Sequence, residues 1–262
     1  MGKTSIIVCG AGGKMGRLII DLAKNNPDFE LKAGIETDQK LKEETLLKGV
    51  DLGDTLSDFM CQRDVVIDFT EPKATVKFVG ECVKKGVPIV VGTTGLTKED
   101  YSVLLEASKV IPLFYAPNMS FGVNLFFEMI QVAASLMKEY DVEVSEIHHH
   151  FKKDAPSGTA KKIAEIICEA SGRKFEQVIK YGREGIEGPR SKEEICVHSL
   201  RMGDVVGEHY VYFGGQGEVM EFSHRCYNRE SFASGALKAA RFIDGKKPGL
   251  YNMKNLIDEL KK

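Results

Sequence analysis

Through its first half the chain alternates short β-branched runs with longer helical patterns, and this alternation restricts the fold more than any other feature. Residues 5–9 (SIIVC) read as a buried strand and 14–24 as a helix, with a second strand over 31–36. A third strand covers 64–70 (DVVIDFT) and is followed by a helix over about 74–85. A fourth covers 88–94 (PIVVGTT), followed by a helix over 98–109 and a further strand over 112–116. Parallel strands need a crossover between them, usually a helix, so strand–helix alternation predicts βαβ units and a parallel sheet.

The pattern changes after about residue 120. A long helical segment, 123–139, leads into 142–149, where Val142, Val144 and Glu146 alternate with Glu143, Ser145 and Ile147. A helix over 160–170 follows, then a Gly- and charge-rich stretch (181–190) and three strand-like runs at 195–200, 209–213 and 219–224. Gly203, Gly207, Gly214, Gly215 and Gly217 punctuate those runs, and the chain returns to helix over 231–243 and 253–260. The expected fold is α/β: a parallel-sheet domain up to about residue 120, then a smaller α+β domain with a mainly antiparallel sheet, and a helical end.

Charge and composition exclude several function classes. A net charge of −2 argues against a nucleic-acid binder, which needs an excess of Lys and Arg to neutralise phosphates. No run approaches the roughly 18–20 apolar residues of a membrane helix. The apolar run that opens the chain is too short for a signal peptide and ends at glycines instead of a cleavage site. The six cysteines are scattered without a CxxC pair, which suits reduced thiols better than zinc or disulfides, so a cytoplasmic protein is expected.

Gly10-Ala11-Gly12-Gly13-Lys14-Met15-Gly16 lies between the first strand and the first helix. Glycine allows a tight strand-to-helix turn and close backbone approach, so a pyrophosphate can rest on the N–H groups that open the helix. The spacing departs from strict GxGxxG, and by itself it also suits a turn with no ligand. Glu36, twenty residues after Gly16 at the end of the second strand, stands where a carboxylate would accept bonds from ribose hydroxyls. It should repel a 2′-phosphate, while Lys40 lies close by, so NADH is slightly favoured and NADPH stays open.

The stretch from Glu146 to Thr159 (EIHHHFKKDAPSGT) concentrates histidine and lysine just beyond a strand. Alternation sends neighbouring histidines to opposite faces and no Cys or nearby carboxylate completes a ligand set, so no metal is expected. Histidine exchanges protons near neutral pH and lysine stabilises negative charge on a substrate. Ser157-Gly158-Thr159 then opens a helix whose first-turn N–H groups favour an anion, and Lys161 and Lys162 add positive charge at that positive end which a bound carboxylate would offset. The residues alone leave two readings open: a small-anion site, or a solvated basic loop with an ordinary Ser/Thr cap.

Taken in order, GAGGKMG, VVIDFT, VVGTTG, YAPNMSFGVN, EIHHHFKKDAPSGTA, GREG, GDVVGEHYVYF and RESFASGALKAARF resemble the 4-hydroxy-tetrahydrodipicolinate reductase family over nearly the whole chain. The resemblance implies a Rossmann-like dinucleotide-binding domain (1–120), an inserted substrate-binding and oligomerisation domain (121–228), a C-terminal return to the first domain (229–262), and a homotetramer. It implies NAD(P)H-dependent reduction of a cyclic dicarboxylate to tetrahydrodipicolinate, in diaminopimelate and lysine biosynthesis. By position, His148 matches the family's catalytic proton donor/acceptor, Lys152 its second proton donor, His149 a substrate-binding histidine, and Gly158 and Thr159 the carboxylate-binding turn. Gly10, Ala11, Gly12, Gly13, Lys14 and Met15 match the pyrophosphate loop and Glu36 the ribose contact. Gly92, Thr93 and Thr94, then Ala116, Pro117, Asn118 and Met119, match cofactor loops, with Arg229 as a further cofactor position. Met119 departs from a frequent aromatic, His150 and Phe151 receive no role, and the offset from His148 favours Lys152 over Lys153. The rival readings are a different two-domain dehydrogenase, acting on an amino acid or sugar, and a nicotinamide-sensing regulator without turnover. The SGT turn and the His–Lys offset speak against the first, and the lack of a visible DNA-binding segment against the second.

Overall fold

The computed structural model describes residues 2–46 and 49–261. The chain forms two compact units, one from the residues up to Phe121 together with those from Arg229 onward, the other from Gly122–Asn228.

The first unit is a doubly wound sheet. Its strands are β1 (Thr4–Cys9), β2 (Phe29–Ile35), β3 (Leu52–Gly53), β4 (Asp64–Asp68), β5 (Ile89–Val91), β6 (Pro112–Tyr115) and β12 (Gly249–Tyr251). They pair in parallel in the order β12-β6-β5-β4-β1-β2-β3. A parallel sheet is covered on both faces, which is why β1 and β4 read as near-continuous apolar runs. Helices α1 (Lys14–Lys24), α8 (Glu230–Ile243) and α9 (Met253–Leu260) supply the apolar side chains packed on one face. Helices α3 (Pro72–Lys85) and α4 (Lys98–Ser108) supply those on the other. Helix α2 (Gln39–Leu46) follows β2.

Strand order reverses at β1, since β2 and β3 lie to one side and β4, β5 and β6 to the other. Open α/β sheets bind ligands at the carboxyl ends of strands beside such a switch point. Chain-end residues complete the layer: on α8, a Cβ built at Gly235 would stand 1.6 Å from the Met119 carbonyl, so only glycine allows the helix to approach this closely.

In the second unit, α5 (Phe121–Leu136) leads into β7 (Asp141–His148), then α6 (Gly158–Ser171), the single turn α7 (Phe175–Val178), β8 (Ile179–Tyr181), β9 (Ile195–Arg201), β10 (Gly207–Gly215) and β11 (Glu218–Cys226). The sheet order is β11-β10-β7-β9-β8. The expected antiparallel pairing holds around β10, while β7–β9 and β8–β9 run parallel, making the sheet mixed. The long excursion through α6 and α7 is what returns β8 and β9 parallel to β7. Val142, Val144, Val211 and Phe213 point from the sheet into a core shared with Ile130, Ile163 and Ile167 of α5 and α6.

Three of the short strands escape the sequence patterns. β3, β8 and β12 hold two or three residues each, too few for a period-2 signal. Helix α3 begins at Pro72 rather than 74, because proline suits the first helical position, where its missing N–H costs nothing.

Candidate active site

β1 delivers the glycine turn to the switch point. Gly10 takes a φ of 70°, and its side is closed by the β4–α3 loop: a Cβ there would stand 2.9 Å from Thr70 Cγ2. At Gly16 a Cβ would meet the Gly10 carbonyl at 2.1 Å, so α1 can begin this close only with glycine. The α1 N-cap, Gly13, offers no side-chain cap, and the first turn carries no acidic residue. Its opening N–H groups therefore face a position suited to an anion. Ala11 is buried, Lys14 is exposed, and Met15 packs against the core. Glu36 Oε2 accepts from the Gly12 N–H at 3.0 Å, and Oε1 accepts from the Thr37 and Asp38 N–H groups. Backbone bonds thus lock this carboxylate beside the turn. The arrangement fits a dinucleotide: a glycine-only cradle, open helix N–H groups and a fixed acid at the end of the second strand.

Loops after β4 and β5 are tied by one buried carboxylate. Asp68 accepts from the Thr70 N–H (3.0 Å) and hydroxyl (2.6 Å), while Thr75 Oγ1 lies 2.5 Å from Asp68 and 2.9 Å from Thr93 Oγ1. Burial pushes the Asp68 carboxyl above its usual range against these hydrogen bonds. Gly92 donates to the Asp68 carbonyl, and a Cβ on it would stand 2.4 Å from the Phe69 ring. Thr93 is buried in this network and Thr94 is exposed. Ala116 donates to the Val91 carbonyl, Pro117 is exposed, and Asn118 Oδ1 accepts from the Ser120 N–H. The Met119 side chain lies in the apolar core. Arg229 stands exposed at the N-cap of α8, its carbonyl accepting from Phe232.

The second unit gathers a compact polar cluster. Alternation along β7 puts Glu146 and His148 on the buried face with Val142 and Val144. Glu146 is fully buried, and His148 Nδ1 lies 2.5 Å from its Oε2. Arg201, at the end of β9, donates to both Glu146 oxygens (2.8 and 2.9 Å), and the Ser157 N–H donates to Oε1 at 3.1 Å. Burial alone would raise this carboxyl, but the bonds from His148, Arg201, the Ser199 side chain and the Ser157 N–H bring it down to about 2.

Ser157 caps α6 by accepting from the Ala160 N–H, and the Lys161 N–H donates to the Ser157 carbonyl. Gly158 and Thr159 precede these at the first two helical positions, where N–H groups have no partner within the helix. No acidic residue occupies that turn, and Lys161 and Lys162 are exposed. Lys152 is half-buried and pairs with Asp154 at 2.8 Å, whereas Lys153 is exposed. The His149 N–H donates to the Val205 carbonyl at 2.7 Å, and its Nδ1 is buried without a partner. The His150 and Phe151 rings lie against each other at the surface, tilted by 45° with centroids 3.8 Å apart.

Three members of the cluster were not anticipated. Arg201, Gly207 and His209 lie some fifty residues beyond His148 and come back through the β7–β9 and β7–β10 pairings. Only His209 falls within a run read as a strand; Arg201 lies one residue past the run at 195–200, and Gly207 reads only as punctuation between runs. The His209 ring meets His148 edge-on at 5.3 Å, and its Nε2 lies 3.3 Å from Ser157 Oγ. Burial first, then the neighbouring His148 and His224, lower His209 to about 3, so the ring is neutral. On the opposite face of the sheet Glu143, Cys196 and His198 bring ligand atoms within 4.8 Å of one another. Arg183 already donates to both Glu143 oxygens, so a metal ion there would meet a cation.

Comparison with known proteins places these two clusters in one family. Residues 4–119 match the family described as dihydrodipicolinate reductase, N-terminus, and residues 122–257 match dihydrodipicolinate reductase, C-terminus. A 4-hydroxy-tetrahydrodipicolinate reductase of Aquifex aeolicus is 45% identical, covering 95% of this chain and 96% of its own. Another from Hahella chejuensis is 42% identical, covering 97% and 98%. The dipicolinate-bound dihydrodipicolinate reductase of Paenisporosarcina sp. TG-14 superposes with a TM-score of 0.78 at 28% identity, covering 97% of this chain and 99% of its own. Both halves of the chain, in this order and at these identities, lead to one conclusion: the chain belongs to the dihydrodipicolinate reductase family.

Proposed function

We propose that this protein is an NAD(P)H-dependent reductase that converts the cyclic dicarboxylate derived from 4-hydroxy-tetrahydrodipicolinate to tetrahydrodipicolinate. The observation that carries the reading is the cluster in which buried His148 stands beside the N-terminus of α6 and the loop bearing Lys152. A relative whose structure is described as dipicolinate-bound supports a doubly acidic ring as the substrate.

When bound, the reduced nicotinamide coenzyme supplies the hydride. Gly10, Ala11, Gly12, Gly13, Lys14 and Met15 hold its pyrophosphate and Glu36 its ribose, with Gly92, Thr93, Thr94, Ala116, Pro117, Asn118, Met119 and Arg229 as the further contacts. Thr93, Ala116 and Met119 have little side-chain exposure, so they act through backbone groups and by shaping the loops. Glu36 disfavours a 2′-phosphate by like charge, which makes NADH the preferred coenzyme.

Lys152 and the N–H groups of Gly158 and Thr159 hold the carboxylates, with His149 beside them. Asp154, now paired with Lys152, gives way to the incoming carboxylate. His148 transfers the proton, and fixed positive groups stabilise developing negative charge without reorganisation. No helix among the described residues is long and apolar enough to cross a membrane. The reading places the enzyme in the cytoplasm, in diaminopimelate and lysine biosynthesis, as a homotetramer built through the open face of the second unit's sheet. That face carries Ile147, Leu200, Tyr210 and Tyr212, with no helix of the unit packed on it among the described residues.

The test follows coenzyme absorbance while substrate is freshly generated, against a panel of amino acids and sugars. Oxidation of NADH with the cyclic dicarboxylate alone is the expected result. Binding of NADH without oxidation would instead favour a sensor, and turnover with another substrate a different dehydrogenase.

A further inference from the structure

We infer that Glu146, ion-paired with Arg201, is the positioning carboxylate of this site: it holds the His148 proton on Nδ1 and leaves Nε2 as the nitrogen that exchanges a proton with substrate. The inference rests on the proposed function and adds two residues to it. An ionised carboxylate can only accept hydrogen bonds, so the 2.5 Å contact from Glu146 Oε2 requires Nδ1 to be the donor. Glu146 remains ionised because Arg201 meets it with both terminal nitrogens, a fork that matches the two oxygens. With the Ser157 N–H and the Ser199 hydroxyl added, the acceptor capacity of the carboxylate is filled.

Space around the other ring nitrogen supports the same assignment. A Cβ built at Gly207 would stand 2.9 Å from His148 Nε2, closer than to any other ring atom. Gly207 does not have a positive φ, so its backbone conformation would also accept alanine. What glycine supplies at this point is room next to Nε2. The proton step is then balanced: the Nε2–H proton of the doubly protonated ring passes to the substrate, the bonding pair remains on nitrogen, and the neutral Nδ1–H form is left against Glu146.

One carboxylate also links the catalytic and binding elements. Through Ser157 it fixes the start of the helix that carries Gly158 and Thr159. Through Arg201, which donates to the Asp154 carbonyl at 2.6 Å, it fixes the loop that carries Lys152. Glu146 touches neither substrate nor coenzyme in this scheme and acts through His148, Ser157 and Arg201.

The direct test is a long-range ¹H–¹⁵N spectrum of the full chain, with His148 assigned by its loss in His148→Gln. The neutral ring should carry its proton on Nδ1, and a predominant Nε2–H form would overturn the inference. Glu146→Gln should lower kcat about 10- to 100-fold while KM changes less than about threefold, since the loss falls on a proton transfer. Because Glu146→Gln leaves the half-buried Arg201 without its counter-charge, the double variant Glu146→Gln/Arg201→Met serves as the control for folding. A double variant that is as stable as the wild type and remains slow supports positioning; one that regains turnover contradicts it. Gly207→Ala should lower kcat with the Nδ1–H form retained, and unchanged turnover would place the reactive nitrogen elsewhere. If His148→Gln is inactive while Glu146→Gln turns over normally, only the positioning role fails. If His148→Gln retains turnover, the proposed function fails with it.

Discussion

The two units build their sites from different materials. In the first, the turn at Gly10–Gly16 is backbone and absent side chains: a Cβ at Gly12 would stand 2.4 Å from Leu41 Cβ, and one at Gly16 2.1 Å from the Gly10 carbonyl. In the second, the site is side chains, with Glu146, His148, Arg201 and His209 brought together from three strands. A backbone cradle recognises what all dinucleotides share, while a side-chain cluster can be specific for one substrate. The difference teaches where specificity in this chain should reside: in the residues from Glu146 to His209, with the first unit supplying a general coenzyme platform.

Breaking the second site should have the largest effect. His148→Gln is expected to lower kcat by roughly 10²- to 10⁴-fold, the usual contribution of a general acid, with coenzyme affinity unchanged by fluorescence titration. Lys152→Ala should cripple turnover as well, and Lys153→Ala should be much milder, since Lys153 is exposed. The reverse order would reassign the lysine.

The next effect separates the units. Gly12→Ala overpacks the turn against Leu41, at a cost of about 1–3 kcal/mol, which should raise the NADH Kd by roughly 10- to 100-fold. Dipicolinate affinity in the absence of coenzyme should not change. If both affinities fall together, the two sites are not independent.

How much of each site was legible in the sequence follows the same division. A glycine turn and its acid are read in order along one βα unit, so Gly10–Met15 and Glu36 needed no three-dimensional information, and Gly12 does meet Glu36. Within the second unit only the contiguous stretch from Glu146 to Thr159 was visible. Arg201 and His209 reach Glu146 and His148 by strand register, which a single sequence does not encode in its spacing. Glu146 was noted for its place in the alternation, yet its partners, and hence its chemistry, came only with the fold. The sheet was expected to be mainly antiparallel because its three later strands look like a meander. Strand direction, however, depends on the path of α6 and α7, and half of the pairings are parallel.

A smaller, pH-dependent effect belongs to the second unit. In an unfolded chain the His209 ring takes a proton near the ordinary 6.5, whereas in the fold burial delays this to about 3. Protonation therefore favours unfolding, and the stability contribution is complete above pH 6.5 and declines as pH falls towards 3. At ~1.4 kcal/mol per pH unit, the loss between pH 6.5 and 5 is about 2 kcal/mol. His209→Gln should flatten the dependence of urea-unfolding free energy over this range; an unchanged slope would assign it to other groups.

The smallest expected change tests the coenzyme platform. Glu36→Gln removes the like charge that opposes a 2′-phosphate and should raise NADPH use relative to NADH several-fold, roughly 1 kcal/mol. An unchanged ratio would remove Glu36 from coenzyme discrimination.

The division of labour is tested most directly by a crystal structure of the full chain with NADH and dipicolinate. The expected result has the two carboxylates on Lys152 Nζ and on the N–H groups of Gly158 and Thr159, with His148 Nε2 directed at the ring. Dipicolinate bound elsewhere, with His148 and Lys152 turned into solvent, would contradict the account.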